Sequence, residues 1–133
     1  MPAGSGPQAT TPITSGSITT GANAVTITSN TFSTGGAIGI LITVYLMGTP
    51  SATQTVTVAL FQGTGTGGTA VTPSQVATFT GTTQSVETVT FIDTSAFARN
   101  NTGGTYTAGF TASTGTNTVA YAYIQLETLT VVS

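Results

Sequence analysis

From Ser17 onward the apolar residues of this chain fall at every second position, run after run, and no long stretch carries helical spacing. Side chains two residues apart share one face of a strand but not one face of a helix, so this period commits the chain to β-structure. Val25 and Ile27 alternate with Thr26 and Thr28, and Val56, Val58 and Leu60 share one side of a run that ends at Phe61. Val76 and Phe79 mark a weaker strand, and Val89 and Phe91 close another opposite Thr88 and Thr90. Tyr106, Ala108, Phe110 and Ala112 alternate with Thr105, Thr107, Gly109 and Thr111. The last run reaches from Val119 to Val132. Ile124 and Leu126 lie on one of its sides but Leu129 and Val131 on the other, and this change of parity predicts a bulge or a strand with two partners. Glycine turns at Gly35-Gly36, Gly48, Gly81, Gly103-Gly104 and Gly115 separate the runs. Short, regularly punctuated strands of this kind, about eight in all, predict a sandwich or barrel, and of the two an antiparallel, jelly-roll-like β-sandwich is expected.

One run differs from the rest. Ile38, Ile40, Ile42, Val44 and Leu46 share one side, yet Leu41, Tyr45 and Met47 stand on the other beside Ala37, Gly39 and Thr43. A strand that is apolar on both sides is expected to lie under a second layer. Leu41, Tyr45 and Met47, with Tyr121 and Tyr123 of the last run, are therefore the candidate interface residues.

Residues 1–17 carry Pro2, Pro7 and Pro12 among Gly, Ser and Thr with no alternation, and are expected to form an extended arm ahead of a sandwich domain over 18–133. Such an arm has no core of its own and must be held by the domain's flank or by a neighbour. Met1 to Pro7 has neither a basic nor an apolar leader region, so no secretory signal is expected, and the run from Ala37 to Met47 is too short for a membrane helix.

The polar composition removes most chemistry. The 133 residues include one Lys or Arg, three Asp or Glu, and no His, Cys or Trp, so 3% are charged where about 25% is usual. General bases, Schiff-base lysines and the usual zinc, haem and iron–sulfur ligands are missing, and neither catalysis, a cofactor nor a metal is expected. One cation cannot neutralise a row of phosphates, so no nucleic-acid partner is expected either.

Glu87, Asp93 and Glu127 are the only carboxylates. Glycoside hydrolysis needs two of them about 5 to 9.5 Å apart. Glu87 and Asp93 on one strand would stand roughly 20 Å apart, and only Glu127 could approach either from another strand. Asp93 also precedes the one plausible helical turn, Thr94 to Arg99. There it is expected to act as N-cap and to pair locally with Arg99, the single side-chain cation. The glycine loop from Gly63 to Gly68 opens no helix and so makes no phosphate cradle. The sequon Asn100-Asn101-Thr102 precedes Gly103-Gly104 and reads as a turn.

Threonine fills roughly a quarter of the positions. Its hydroxyl wets the outer side of a strand and its branched Cβ suits the pleat, but it supplies no like-charge repulsion between copies. A surface of this kind suits a subunit packed among copies of itself.

From Ser17 to Ser133 the chain resembles the tumour-necrosis-factor-like jelly-roll domains of virion structural proteins, notably the decoration (cement) and appendage proteins of tailed phages. The resemblance rests on Val56 to Gly63, Thr90-Phe91-Ile92-Asp93-Thr94, Gly104 to Phe110 and Ile124 to Leu129. It implies a jelly roll, a homotrimer and docking on a capsid shell at the virion exterior. The near-absence of charge departs from that pattern and leaves docking to hydrogen bonds, apolar contact and the arm. Two other readings stand beside it. One is a subunit of an extracellular filament or surface layer joined by strand addition of the arm, and the other is a glycan-binding adhesin.

Overall fold

The computed structural model describes residues 7–9, 13, 15–33, 37–100 and 102–130. The alternating runs form strands in chain order: β1 (Pro7–Ala9), β2 (Ser17–Ile18), β3 (Val25–Thr28), β4 (Phe32–Ser33), β5 (Gly39–Pro50), β6 (Gln54–Gln62), β7 (Ala70–Phe79) and β8 (Ser85–Asp93). After the single helical turn α1 (Ala96–Arg99) come β9 (Thr102–Gly104), β10 (Tyr106–Ala112) and β11 (Asn117–Leu129). Two sheets carry the fold. One has the order β1-β11-β5-β8 with β2 also on β11, the other the order β3-β10-β6-β7, and β4 pairs with β9 apart from both. Every pairing is antiparallel.

The chain passes from one sheet to the other between β5 and β6, between β7 and β8, and between β10 and β11, and the last strand lies between the first and the fifth. This is an all-β antiparallel sandwich. Its strands number eleven among the described residues, more than the eight that periodicity predicts. The excess lies in the pieces of two or three residues, β1, β2, β4 and β9, which are too short to show a period.

The inner sides of the two sheets interdigitate into one core. Ile42 and Ile124 from one sheet and Val56, Leu60 and Phe110 from the other are wholly or almost wholly buried. Burying each of these side chains stabilises the fold by about 1.5–3 kcal/mol. Beneath α1, Phe32 stacks on Tyr106 with centroids 5.2 Å apart, and Phe97 meets both rings edge-on at 5.7 and 5.4 Å.

The described part of the arm is not free. Pro7 to Ala9 pair with Glu127 to Gln125, Ile13 bridges Ala122, and Ser17 and Ile18 pair with Thr118 and Asn117. These described residues thus lie along β11 of their own chain, and Ile13 packs against the core. β11 has partners along both edges, β5 on one and β1 and β2 on the other. Its bulge lies at Val119/Tyr121 and not between Leu126 and Leu129, so inner parity passes from Val119 to Ala122 and holds through Leu126. Ile38 also departs from the expected pattern. It precedes β5, is exposed, and uses its backbone N–H on the Leu129 carbonyl.

Candidate interaction face

The register of the first sheet brings together residues that lie far apart in the chain. Met47 stands opposite Val86 of β8 and Tyr121 of β11, Tyr45 opposite Thr88 and Tyr123, and Leu41 opposite Ile92 and Glu127. The five candidate interface residues, Leu41, Tyr45, Met47, Tyr121 and Tyr123, therefore share the outer side of one sheet. All five are half-buried or exposed, whereas the alternate residues of β5 are buried. The second layer expected over this side of β5 is not supplied by the described chain.

Aromatic packing organises the upper half of the face. The rings of Tyr45 and Tyr123 stack with centroids 4.4 Å apart and planes 12° apart, and Tyr121 meets Tyr123 edge-on at 5.5 Å. Tyr45 Oη donates to Gln125 Oε1 at 3.1 Å, which fixes the ring against the sheet. Burial first, then the neighbouring phenols of Tyr45 and Tyr121, push the Tyr123 hydroxyl above its ordinary pKa. A polar row of Thr90, Thr43 and Gln125 separates these rings from the aliphatic pair Leu41 and Ile92.

Val86 and Ile92 enlarge the face, on the exposed side of β8 that they share with Thr88 and Thr90. They are 53% and 58% exposed, more than Tyr121 at 38%. Val86 beside Met47 extends the aromatic cluster, while Ile92 and Leu41 form a second apolar group on the same side across the polar row.

Asp93 and Arg99 do not make the ion pair. Asp93 Oδ1 accepts the Ser95 backbone N–H at 2.9 Å, and Oδ2 accepts Tyr106 Oη at 2.8 Å and Gln62 Nε2 at 3.0 Å. Arg99 Nε instead donates to the Thr94 carbonyl at 3.0 Å. The N-cap position belongs to Ser95, whose side chain makes no cap bond, so Asp93 organises the turn from two residues earlier. Burial raises the Asp93 pKa, but the donors from Ser95, Tyr106 and Gln62 outweigh it and hold the carboxyl below its ordinary value. The effect on Tyr106 is the reverse: burial and then the Asp93 carboxylate push its phenol upward and keep it protonated.

The three carboxylates stay apart in role and place. Glu87 and Asp93 lie at opposite ends of one strand, both on its core-facing side, and Glu127 lies on the outer side of β11. The glycine loop is a turn between β6 and β7. Thr107 Oγ1 holds it by accepting the Gly65 N–H at 2.8 Å and donating to the Gly63 carbonyl at 2.9 Å. Asn100 is the C-cap of α1, and Asn101 lies outside the described residues. Among the described residues no helix is long and apolar enough to cross a membrane. No family model matches this chain, and a search of curated proteins finds no match.

Proposed function

We propose that this chain is a non-enzymatic structural subunit that assembles with copies of itself through the outer side of the β1-β11-β5-β8 sheet, and that it decorates the exterior of a virion shell. The observation that carries the reading is the gathering of Leu41, Tyr45, Met47, Tyr121, Tyr123, Val86 and Ile92 on one side of the sheet that no layer among the described residues covers. A strand as apolar as β5 on both sides gains from a cover that water does not provide. The chain carries only one cationic and three acidic side chains, a net charge of −2, so copies approach with little like-charge repulsion. Sandwiches of the jelly-roll kind recur in capsid and lectin domains, and a β-sandwich on a chain with almost no ionisable chemistry favours a role in assembly over one in catalysis. A homotrimer is the favoured oligomer, with the shell protein as the second partner.

Replacing Tyr45 by Asp puts a charge at the centre of the aromatic half of the face, where burial against a second copy would strip it of water. Light scattering of Tyr45→Asp should give a mass lower than that of the unaltered protein. An unchanged mass would exclude this face as the interface.

A further inference from the structure

A β-sandwich has four sheet edges, and native proteins protect such edges by covering, shortening, bulging or charging them. Three of the four edges are protected here. The arm covers β11 through the pairings of β1, Ile13 and β2. The edge strand β3 is only four residues long. The edge strand β7 carries Pro73 and a register shift between Val58 and Leu60 of its partner. The fourth edge, β8, is different. It has nine residues, no proline and an unbroken register with β5 from Ser85 to Asp93. Its carboxylates, Glu87 and Asp93, lie on the core-facing side and leave the outward side uncharged, and no described strand pairs with its free edge.

The outward side of β8 reads Val86, Thr88, Thr90, Ile92, which has the same chemistry in either direction. An antiparallel strand of the same sequence, centred with Val89 opposite Val89, would set Val86 against Ile92 and Thr88 against Thr90, twice over. Apolar pairs and Thr–Thr pairs are favourable cross-strand neighbours. In the same register Glu87 faces Phe91 of the second copy and not its own counterpart, so no like charges meet.

We propose that the free edge of β8 is a self-association site, at which β8 of a second copy adds antiparallel about a two-fold axis. The pairing joins two sheets into one and makes their outer sides continuous. It is a second contact, of different symmetry from the face-to-face contact proposed above, and it does not depend on that contact. Together the two would extend an oligomer into a larger array.

The chain has no cysteine, so introduced thiols report cleanly. Directly opposite residues in this register have Cα atoms about 4.5–5.5 Å apart, whereas diagonal neighbours lie about 7–8 Å apart, beyond easy disulfide reach. An equimolar mixture of Thr88→Cys and Thr90→Cys chains should therefore form a disulfide-linked dimer under mild oxidation, at least tenfold more than either variant alone. Thr88 and Thr90 are exposed, so both variants keep the core. The same mixture carrying Tyr45→Asp should link as well, which separates this edge from the apolar face. As a second readout, amide exchange in β8 of the unaltered protein should slow as concentration rises. A mixture that links no better than its components, or β8 amides whose exchange is the same dilute and concentrated, would overturn the proposal.

Discussion

The Tyr106 hydroxyl donates to Asp93 Oδ2 at 2.8 Å, a bond between a wholly buried phenol of β10 and the last residue of β8 that ties the two sheets together at one end of the sandwich. The same carboxylate starts the turn into α1 through the Ser95 N–H. One side chain thus fixes both the closure of the sheets and the seat of Phe97 against Phe32 and Tyr106.

Tyr106→Phe keeps the ring contacts and removes one charge-assisted donor, so it should destabilise the fold by about 1.5–3 kcal/mol at neutral pH. Asp93 has a lowered pKa in the folded state, so its contribution is present above the carboxylate range and is lost as pH falls below about 4. The gap between the unaltered protein and Tyr106→Phe should therefore narrow at acid pH. Denaturant unfolding of both proteins at pH 7 and pH 3 checks this.

Tyr106 and Tyr123 have raised pKa values, so the stability they lend is present below the ordinary phenol value and is lost as pH rises above about 10. The chain has no His or Cys, the side-chain types that ordinarily titrate between those limits. Apart from the terminal amine, stability should be flat from about pH 5 to pH 9 and fall on either side. A series of thermal melts against pH measures it, and Tyr106→Phe should weaken the alkaline fall.

A Cβ on Gly48 would collide with Asn117 Oδ1, and Asn117 is completely buried, so it has nowhere to go. Gly48→Ala should cost about 1–3 kcal/mol as an overpacked site. Neither amide atom of Asn117 has a hydrogen-bond partner among the described residues, so Asn117→Ala forfeits packing but none of the described bonds. In the double variant the two costs should be less than additive, because Asn117→Ala makes room for the new methyl. A double-mutant cycle by chemical denaturation reads the coupling directly.

Deleting residues 1–16 strips β11 of Pro7 to Ala9 and Ile13 and leaves its edge bare. The sandwich core lies outside the deleted segment, so the fold should persist with a lower unfolding midpoint and an increased tendency to aggregate. Circular dichroism melts and turbidity against concentration test both effects.

The alternation disclosed β5, β6, β10 and the two-sided character of Leu41, Tyr45 and Met47, because a period of two needs only the pleat to become visible. It also set Tyr121 and Tyr123 apart, although only the pairing of β11 with β5 places them beside Tyr45. The bulge escaped because Ala120, the extra residue between Val119 and Tyr121, is a small residue that interrupts no apolar pattern. Asp93 looked like a cap for α1 because Thr94 and Ser95 follow it, while its real partners Tyr106 and Gln62 lie 13 and 31 residues away. Long-range hydrogen bonds of that kind leave no local trace. Val86 and Ile92 could have been found, since they share parity with Thr88 and Thr90.

Whether copies of this chain cover one another's open face is tested most directly by the mass of the unaltered protein at sedimentation equilibrium. The account predicts a stable multiple of 13.2 kDa, three copies in the favoured case, that shifts toward one copy in Tyr45→Asp. A single 13.2 kDa species persisting at millimolar concentration would contradict it.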